Sequence, residues 1–222
     1  MYFFYSNEIS NDRIILPEAE SHHCIKVLRK SINDIVMVID GIGNLYKTKL
    51  INQNIKSTLL QIIDIKNDYG KRDNFLHIAI SPTKRLDRLE WFLEKVVEIG
   101  IDEISLIKCS NSERNVVRLD RCMKIIMSAV KQSLKAYIPK LNPLIDFNKF
   151  VESTHVEEAK YIGYLGKKNR PSLSGFSHGK KSHLVCIGPE GDFSSSEIKV
   201  ATNNGFECIT LGTSRLRTET AG

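Results

Sequence analysis

The sequence predicts an α/β fold in which a mostly parallel sheet is covered by helices, preceded by a small, mostly β domain. Three observations carry this. From Phe75 onward, short apolar runs alternate with amphipathic helical stripes, the rhythm of parallel strands joined by helical crossovers. Before residue 70 the apolar runs instead follow one another across tight turns. Residues 66–74 between them are polar, offer little to bury and read as a linker. Domains 1–70 and 75–222 are therefore expected, and 222 residues with 41% hydrophobic content can supply their cores.

Each element has a local reason. A helix is expected from the Pro17-Glu18-Ala19-Glu20 start to just before Ser31. Residues 34–39 and 45–50 read as strands across the Asp40-Gly41 turn, whose residue types favour the positive φ of a hairpin, and 58–63 read as a third strand. In the second domain 75–80 is a strand; Leu86, Leu89, Leu93, Val96 and Val97 form a helical stripe that Gly100 ends. Residues 104–107 make the next strand. Met123, Ile126, Met127 and Val130 mark a helix, and 161–165 a further strand.

Composition narrows the functional classes. A net charge of +6 favours a polyanionic partner. Five cysteines without a C-x-x-C pair read as reduced thiols, and six histidines without ligand spacing predict no metal. The first residues lack a basic segment followed by an apolar core, and no apolar stretch reaches bilayer length. A cytoplasmic protein without membrane contact is expected.

Residues 183–222 carry the chemistry. The run His183-Leu184-Val185-Cys186-Ile187 ends at Gly188-Pro189-Glu190-Gly191-Asp192-Phe193. The run Cys208-Ile209-Thr210-Leu211 ends at Gly212-Thr213-Ser214-Arg215-Leu216-Arg217-Thr218-Glu219-Thr220. Strand ends of this kind are where open α/β sheets bind ligands, and neither turn resembles a phosphate loop, so a non-phosphate cofactor is indicated. Gly188 and Gly191 let backbone amides approach a ligand. Ser194 and Glu197 have capping-box spacing, so a helix should open there and stop at Asn204-Gly205.

These two turns resemble those of the SPOUT superfamily, specifically the RsmE-type methyltransferases of small-subunit ribosomal RNA. His22-His23 with Val27-Leu28-Arg29, the stretch from Lys84 through Glu90-Trp91 to Lys95, Glu98 and Gly100, and Gln132-Ser133 with Pro139 resemble further family signatures in the same order. The resemblance implies S-adenosyl-L-methionine as methyl donor and N3 of one uridine in 16S rRNA of the small ribosomal subunit as target. It also implies a PUA-like N-terminal RNA-binding β-barrel, a SPOUT-type parallel sheet with a C-terminal trefoil knot, and a homodimer.

Carried over residue by residue, Leu165, Gly166, Ile187, Gly188, Glu190, Gly191, Leu211, Gly212 and Leu216 would enclose the cofactor. Arg217 would orient a base or stabilise an anionic uracil, or else pin its loop through Glu219. Glu219 is a general-base candidate, since the uracil N3–H must lose its proton. Around the first helix His23, Lys26 and Arg29, and in the second domain Lys84, Arg85, Arg88 and Arg114, are candidate RNA contacts; the same groups also suit a solvated face. The basic loop 166–181 reads either as solvated or as a phosphate-contacting flap. A non-catalytic RNA-binding ribosome assembly factor on the same fold is the alternative reading.

Three departures from the family stand out. Asp192 replaces a common glycine, adding a carboxylate near the pocket; aspartate tolerates left-handed backbone better than most residues. Ser128, Lys131 and Lys135 replace the acidic, acidic and arginine residues of the third signature. The sequence stops at Gly222, where the family continues into a C-terminal helix that closes the pocket, so an incomplete pocket is expected.

Overall fold

The computed structural model describes residues 2–153, 155–166, 171–172 and 179–222. Most of the basic loop 166–181 lies outside the described residues. The chain divides into two compact units, Met1–Lys71 with Met127–Ile138, and Arg72–Ile126 with Pro139–Gly222.

In the first unit the strands are β1 (Phe3–Tyr5), β2 (Glu8–Ser10) and β3 (Arg13–Ile15), then, after a helix, β4 (Ile35–Ile39), β5 (Leu45–Leu50) and β6 (Leu59–Lys66). They pair in the order β1-β4-β5-β6-β3-β2, parallel only at β1–β4, so the ladder is open, with β1 and β2 as edges. The expected first helix is α1 (Glu18–His22) running into one π-helical turn (His23–Val27). Alternation places Phe4, Ile14, Val38, Leu50 and Leu60 in one buried cluster. The expected Asp40 turn is held by Asp40 Oδ1, which accepts from the amides of Ile42 at 2.9 Å and Asn44 at 3.1 Å. Gly43 has φ +108°, and a Cβ there would lie 2.2 Å from the Tyr137 ring. That close approach shows why 127–138 joins this unit: the Gly43 amide donates to Ala136 O, and the Ile138 amide to Gly41 O. Lys131, one of the departures in the third signature, pairs here with Glu20 at 2.5 Å.

The second unit contains β7 (Phe75–Ile80), α2 (Leu86–Ile99), β8 (Glu103–Lys108), the start of α3 (Leu119–Gln132), β9 (Lys140–Asp146), α4 (Phe147–Glu152), β10 (Ala159–Gly163), β11 (Ser182–Ile187), α5 (Ser195–Asn203), β12 (Glu207–Ile209) and α6 (Thr218–Ala221). Its six strands are all parallel, in the order β12-β10-β11-β7-β8-β9. The α/β expectation therefore holds for this unit. Strand β9 and helix α4 have no counterpart in the sequence reading. β9 carries Pro143 and sits at the sheet edge, where a missing amide is tolerated. Ala79, Ile107, Phe147, Ile162, Leu184 and Phe193 share one buried cluster with Ala201 of α5.

Beneath the N-terminal ends of these strands lies a buried polar chain. His77 Nδ1 is 2.6 Å from Glu157 Oε1 and His77 Nε2 is 2.8 Å from Ser105 Oγ, while Asn142 Nδ2 donates to Ser105 Oγ at 2.8 Å. Among the described residues no helix is long and apolar enough to cross a membrane, and no three His, Cys, Asp or Glu side chains converge as metal ligands.

Candidate active site

The site begins with where three parallel strands stop. β10, β11 and β12 end together, and the segments leaving them, 163–165, 187–190 and 209–212, bound a cavity of about 300 Å³. Such a place is favoured in parallel sheets because chain leaves the strand ends on diverging paths and exposes backbone groups. The cavity also takes Asp192 from the first turn, 214–218 from the second, and Arg88 from α2. The first turn is braced by hydrogen bonds. The Asp192 amide donates to Pro189 O at 2.9 Å, Asp192 has φ +62°, and Asn111 Nδ2 donates to the carbonyls of Gly191 at 3.1 Å and Asp192 at 3.0 Å. The predicted capping box then opens α5: the Glu197 carboxylate accepts from the Ser194 amide, and the Ser194 hydroxyl from the Glu197 amide.

Of the nine expected cofactor residues, Leu165, Ile187, Gly188, Glu190, Leu211, Gly212 and Leu216 line this one cavity. Gly166 and Gly191 do not. Gly166 lies one residue past the lining wall, and the side of Gly191 that a Cβ would occupy faces Asn111 at 3.1 Å. Gly188 lines the cavity, but a Cβ there would meet the Phe193 ring at 3.0 Å, so its lack of a side chain serves the core as much as any ligand. Arg217 is exposed and lines the cavity. Glu219 is buried behind it: Oε1 lies 3.5 Å from Arg88 Nε, and Oε2 has no hydrogen-bond partner.

The expected RNA-contacting cations divide. Lys84 is paired with Glu113 at 2.8 Å, which raises its pKa, and its amide donates to Glu190 Oε1. Arg85 pairs with Asp87 at 2.7 Å. Arg114 donates to the carbonyls of Thr83 and Lys84, and so braces the loop after β7. Arg88 faces the cavity rather than open surface. In the first unit His23 packs edge-on against Tyr2 at 4.6 Å, whereas Lys26 and Arg29 are exposed.

Residues 71–222 match a family model described as an RNA methyltransferase domain, and residues 16–62 match one described as an RNA methyltransferase PUA domain. Over 226 residues the chain is 30% identical to the ribosomal RNA small subunit methyltransferase E of Mesomycoplasma hyopneumoniae (strain 232), with 100% of this chain and 95% of that protein covered. The chain belongs to the ribosomal RNA small subunit methyltransferase E family. A probable rRNA-methyltransferase from Porphyromonas gingivalis superposes with a TM-score of 0.90 at 36% identity, covering 100% of this chain and 93% of that one. The methyltransferase E of Neisseria gonorrhoeae, solved bound to S-adenosyl methionine, superposes at 0.88 with 27% identity and the same coverage.

Within this methyltransferase E chain the cavity is chemically two-sided. Leu165, Ile187, Ile209, Leu211 and Leu216 give apolar walls; Glu190 and Asp192 supply carboxylates, and Arg88, Arg215 and Arg217 supply cations. Burial pushes the pKa of the Cys109 and Cys186 thiols far up, which disfavours their nucleophilic thiolate form. Sequence reading did not include Tyr164, Ile209, Thr210, Ser214 or Arg215 in this lining. Arg215 was the most accessible to inference, as a second arginine in the Leu216-centred turn.

Proposed function

We propose that this chain transfers a methyl group from S-adenosyl-L-methionine to N3 of a uridine in 16S rRNA of the small ribosomal subunit. The observation that carries the reading is the single cavity formed where both glycine turns meet, with Arg217 at its exposed rim, in a chain of this family. The residues suit the cofactor. Apolar walls accept an adenine face, the carboxylate of Glu190 suits a sulfonium, and arginines suit the methionyl carboxylate. Leu165, Ile187, Gly188, Leu211, Gly212 and Leu216 would hold the cofactor, with Glu190 beside them; Gly166 and Gly191 would act only by setting the backbone. When bound, it supplies an electrophilic methyl group.

The uracil must lose its N3 proton, and the chain's own groups divide that work. Glu219 is a poor general base where it stands: it lies behind the cavity lining and is ion-paired with Arg88. Arg217 is exposed at the rim, where a guanidinium stabilises a uracil anion through paired N–H donors. On this account Arg217 is the catalytic side chain and Glu219 acts by holding Arg88. Lys26 and Arg29 in the PUA-type unit supply phosphate contacts, and His23 supports that face by packing. Among Lys84, Arg85 and Arg114, the first two remain solvent-exposed and free to exchange an acidic partner for phosphate.

We further propose a cytoplasmic homodimer with a C-terminal trefoil knot. Support for the knot comes from the Pro171 carbonyl, which accepts from the Thr210 amide at 3.0 Å, and from the parallel bridge Ser172–Thr210. Residues 171–172 of the connection from β10 to β11 thus lie beside the end of β12, and the chain after Thr210 continues toward α2, where Gly222 lies against Phe92. Calorimetry with S-adenosylmethionine, followed by transfer of labelled methyl to unmodified small subunits, tests the function. Micromolar binding with transfer supports it, and absence of binding at millimolar cofactor rejects it.

A further inference from the structure

We propose that Asp192 is a positioning residue for the cofactor, whose carboxylate ties the β10 wall of the cavity to the first turn and so sets the gap between them. This rests on the reading of the cavity as the S-adenosylmethionine site. The backbone of Asp192 is fixed first, by its own amide bond to Pro189 O and by the Asn111 side chain donating to the carbonyls on either side of its amide. The side chain then points across the cavity. Oδ1 accepts from the Phe193 amide at 2.8 Å, and Oδ2 accepts from the Leu165 amide at 3.0 Å, 27 residues away in sequence.

Leu165 is where such a tie matters. Gly163 is the last residue of β10 paired in the sheet, and the Tyr164 amide still reaches Ile209 O at 3.3 Å. One residue further on, the Leu165 amide is secured by Asp192, while the Leu165 side chain remains exposed and lines the cavity. A strand end without such a bond frays at low free-energy cost. Holding it in place before a ligand arrives removes part of the ordering cost of binding. The acceptor is a carboxylate, so the bond is charge-assisted and among the stronger neutral-pH hydrogen bonds available to an amide.

The strain points the same way. At φ +62° a glycine would sit with less strain than aspartate, and glycine is what the family resemblance leads one to expect at this position. Glycine, however, cannot bridge to Leu165. The carboxylate is present against the backbone preference: Oδ1 is anchored on the Phe193 amide of its own turn, and Oδ2 joins that turn to the β10 wall.

The test uses the full chain with Asp192→Gly and Asp192→Asn, titrated calorimetrically with S-adenosylmethionine and with S-adenosylhomocysteine. The two ligands share every group except the sulfonium methyl, so a positional role weakens both alike, whereas a charge role weakens only the first. Asp192→Gly relieves backbone strain and should fold; it is expected to raise both Kd values about tenfold, the scale of one charge-assisted hydrogen bond. Asp192→Asn keeps one oxygen acceptor and should fall between the parent and Asp192→Gly. Exchange of the Leu165 amide should be faster in Asp192→Gly, and KM for the cofactor should rise more than kcat falls. Binding of both ligands as tight as in the parent, or tighter, overturns the proposal, as does an Asp192→Asn protein that loses S-adenosylmethionine affinity alone. If the unaltered chain binds neither ligand, the cofactor reading fails first and takes this role with it.

Discussion

Arg88 and Glu219 show how a side chain's role depends on neighbours that sequence order hides. Arg88 is one of several cations near the start of a helix, yet its guanidinium faces the cavity and neutralises a carboxylate that is only 8% exposed. Removing one partner of such a pair leaves an uncompensated buried charge. Arg88→Ala should therefore lose about 1–3 kcal/mol in urea denaturation, at the low end because Arg88 itself is 30% exposed. Adding Glu219→Gln to Arg88→Ala should restore part of that loss. At Gly188 the expectation from sequence was a backbone approach to ligand, but the Cβ direction is taken by Phe193 at 3.0 Å. Gly188→Ala should accordingly overpack the core and lower stability by about 1–3 kcal/mol in a thermal or urea melt. The turns were legible because glycine, proline and arginine spacing is local information. The Asp192–Leu165 and Arg88–Glu219 contacts were not, because each joins segments distant in sequence.

Helix α5 is the element best specified by its own residues. Ser194, Glu197 and the Asn204-Gly205 stop were all readable, and both bonds of the capping box are present. Glu197 does more than cap, since it also accepts from the Ser110 amide at 2.7 Å and so fastens the loop after β8 to the start of α5. Ser194→Ala should then cost about 1 kcal/mol in urea denaturation, and Glu197→Ala more than that, because it removes the acceptors of both the Ser110 and Ser194 amides. Strand β9 and helix α4 escaped notice for opposite reasons. Pro143 disguises an edge strand, and α4 spans only Phe147–Glu152, too short for a helical stripe to emerge from its neighbours. Residues 127–138 read as the end of a helix and part of a family signature, yet they join the first unit through Gly43, whose positive φ and lack of a side chain admit Tyr137.

Across the whole molecule, the second unit keeps its two ends chemically separate: the cavity lies at the C-terminal ends of the strands, and the His77–Glu157 chain lies at the other. Burial works against the charge on Glu157, but the His77 hydrogen bond and charges more than offset it and lower its pKa. Burial also lowers the pKa of His155 below its ordinary 6.5. The signs agree. A depressed carboxylate lends stability that is present above its ordinary 4.5 and lost as pH falls through its lower folded value. A depressed histidine adds nothing above 6.5, and stability falls as pH drops below that point. Urea melts should therefore show stability falling from about pH 6.5 downward, with Glu157→Gln flattening the part below 4.5. The central claim concerns the other end of the sheet. It is tested most directly by incubating the purified chain with S-adenosylmethionine and small ribosomal subunits from cells lacking it, then analysing the 16S rRNA nucleosides by mass spectrometry. The account predicts that N3-methyluridine appears with the active chain and is lost with Arg217→Ala; subunits that gain no N3-methyluridine, or gain the methyl group on another base, would contradict it.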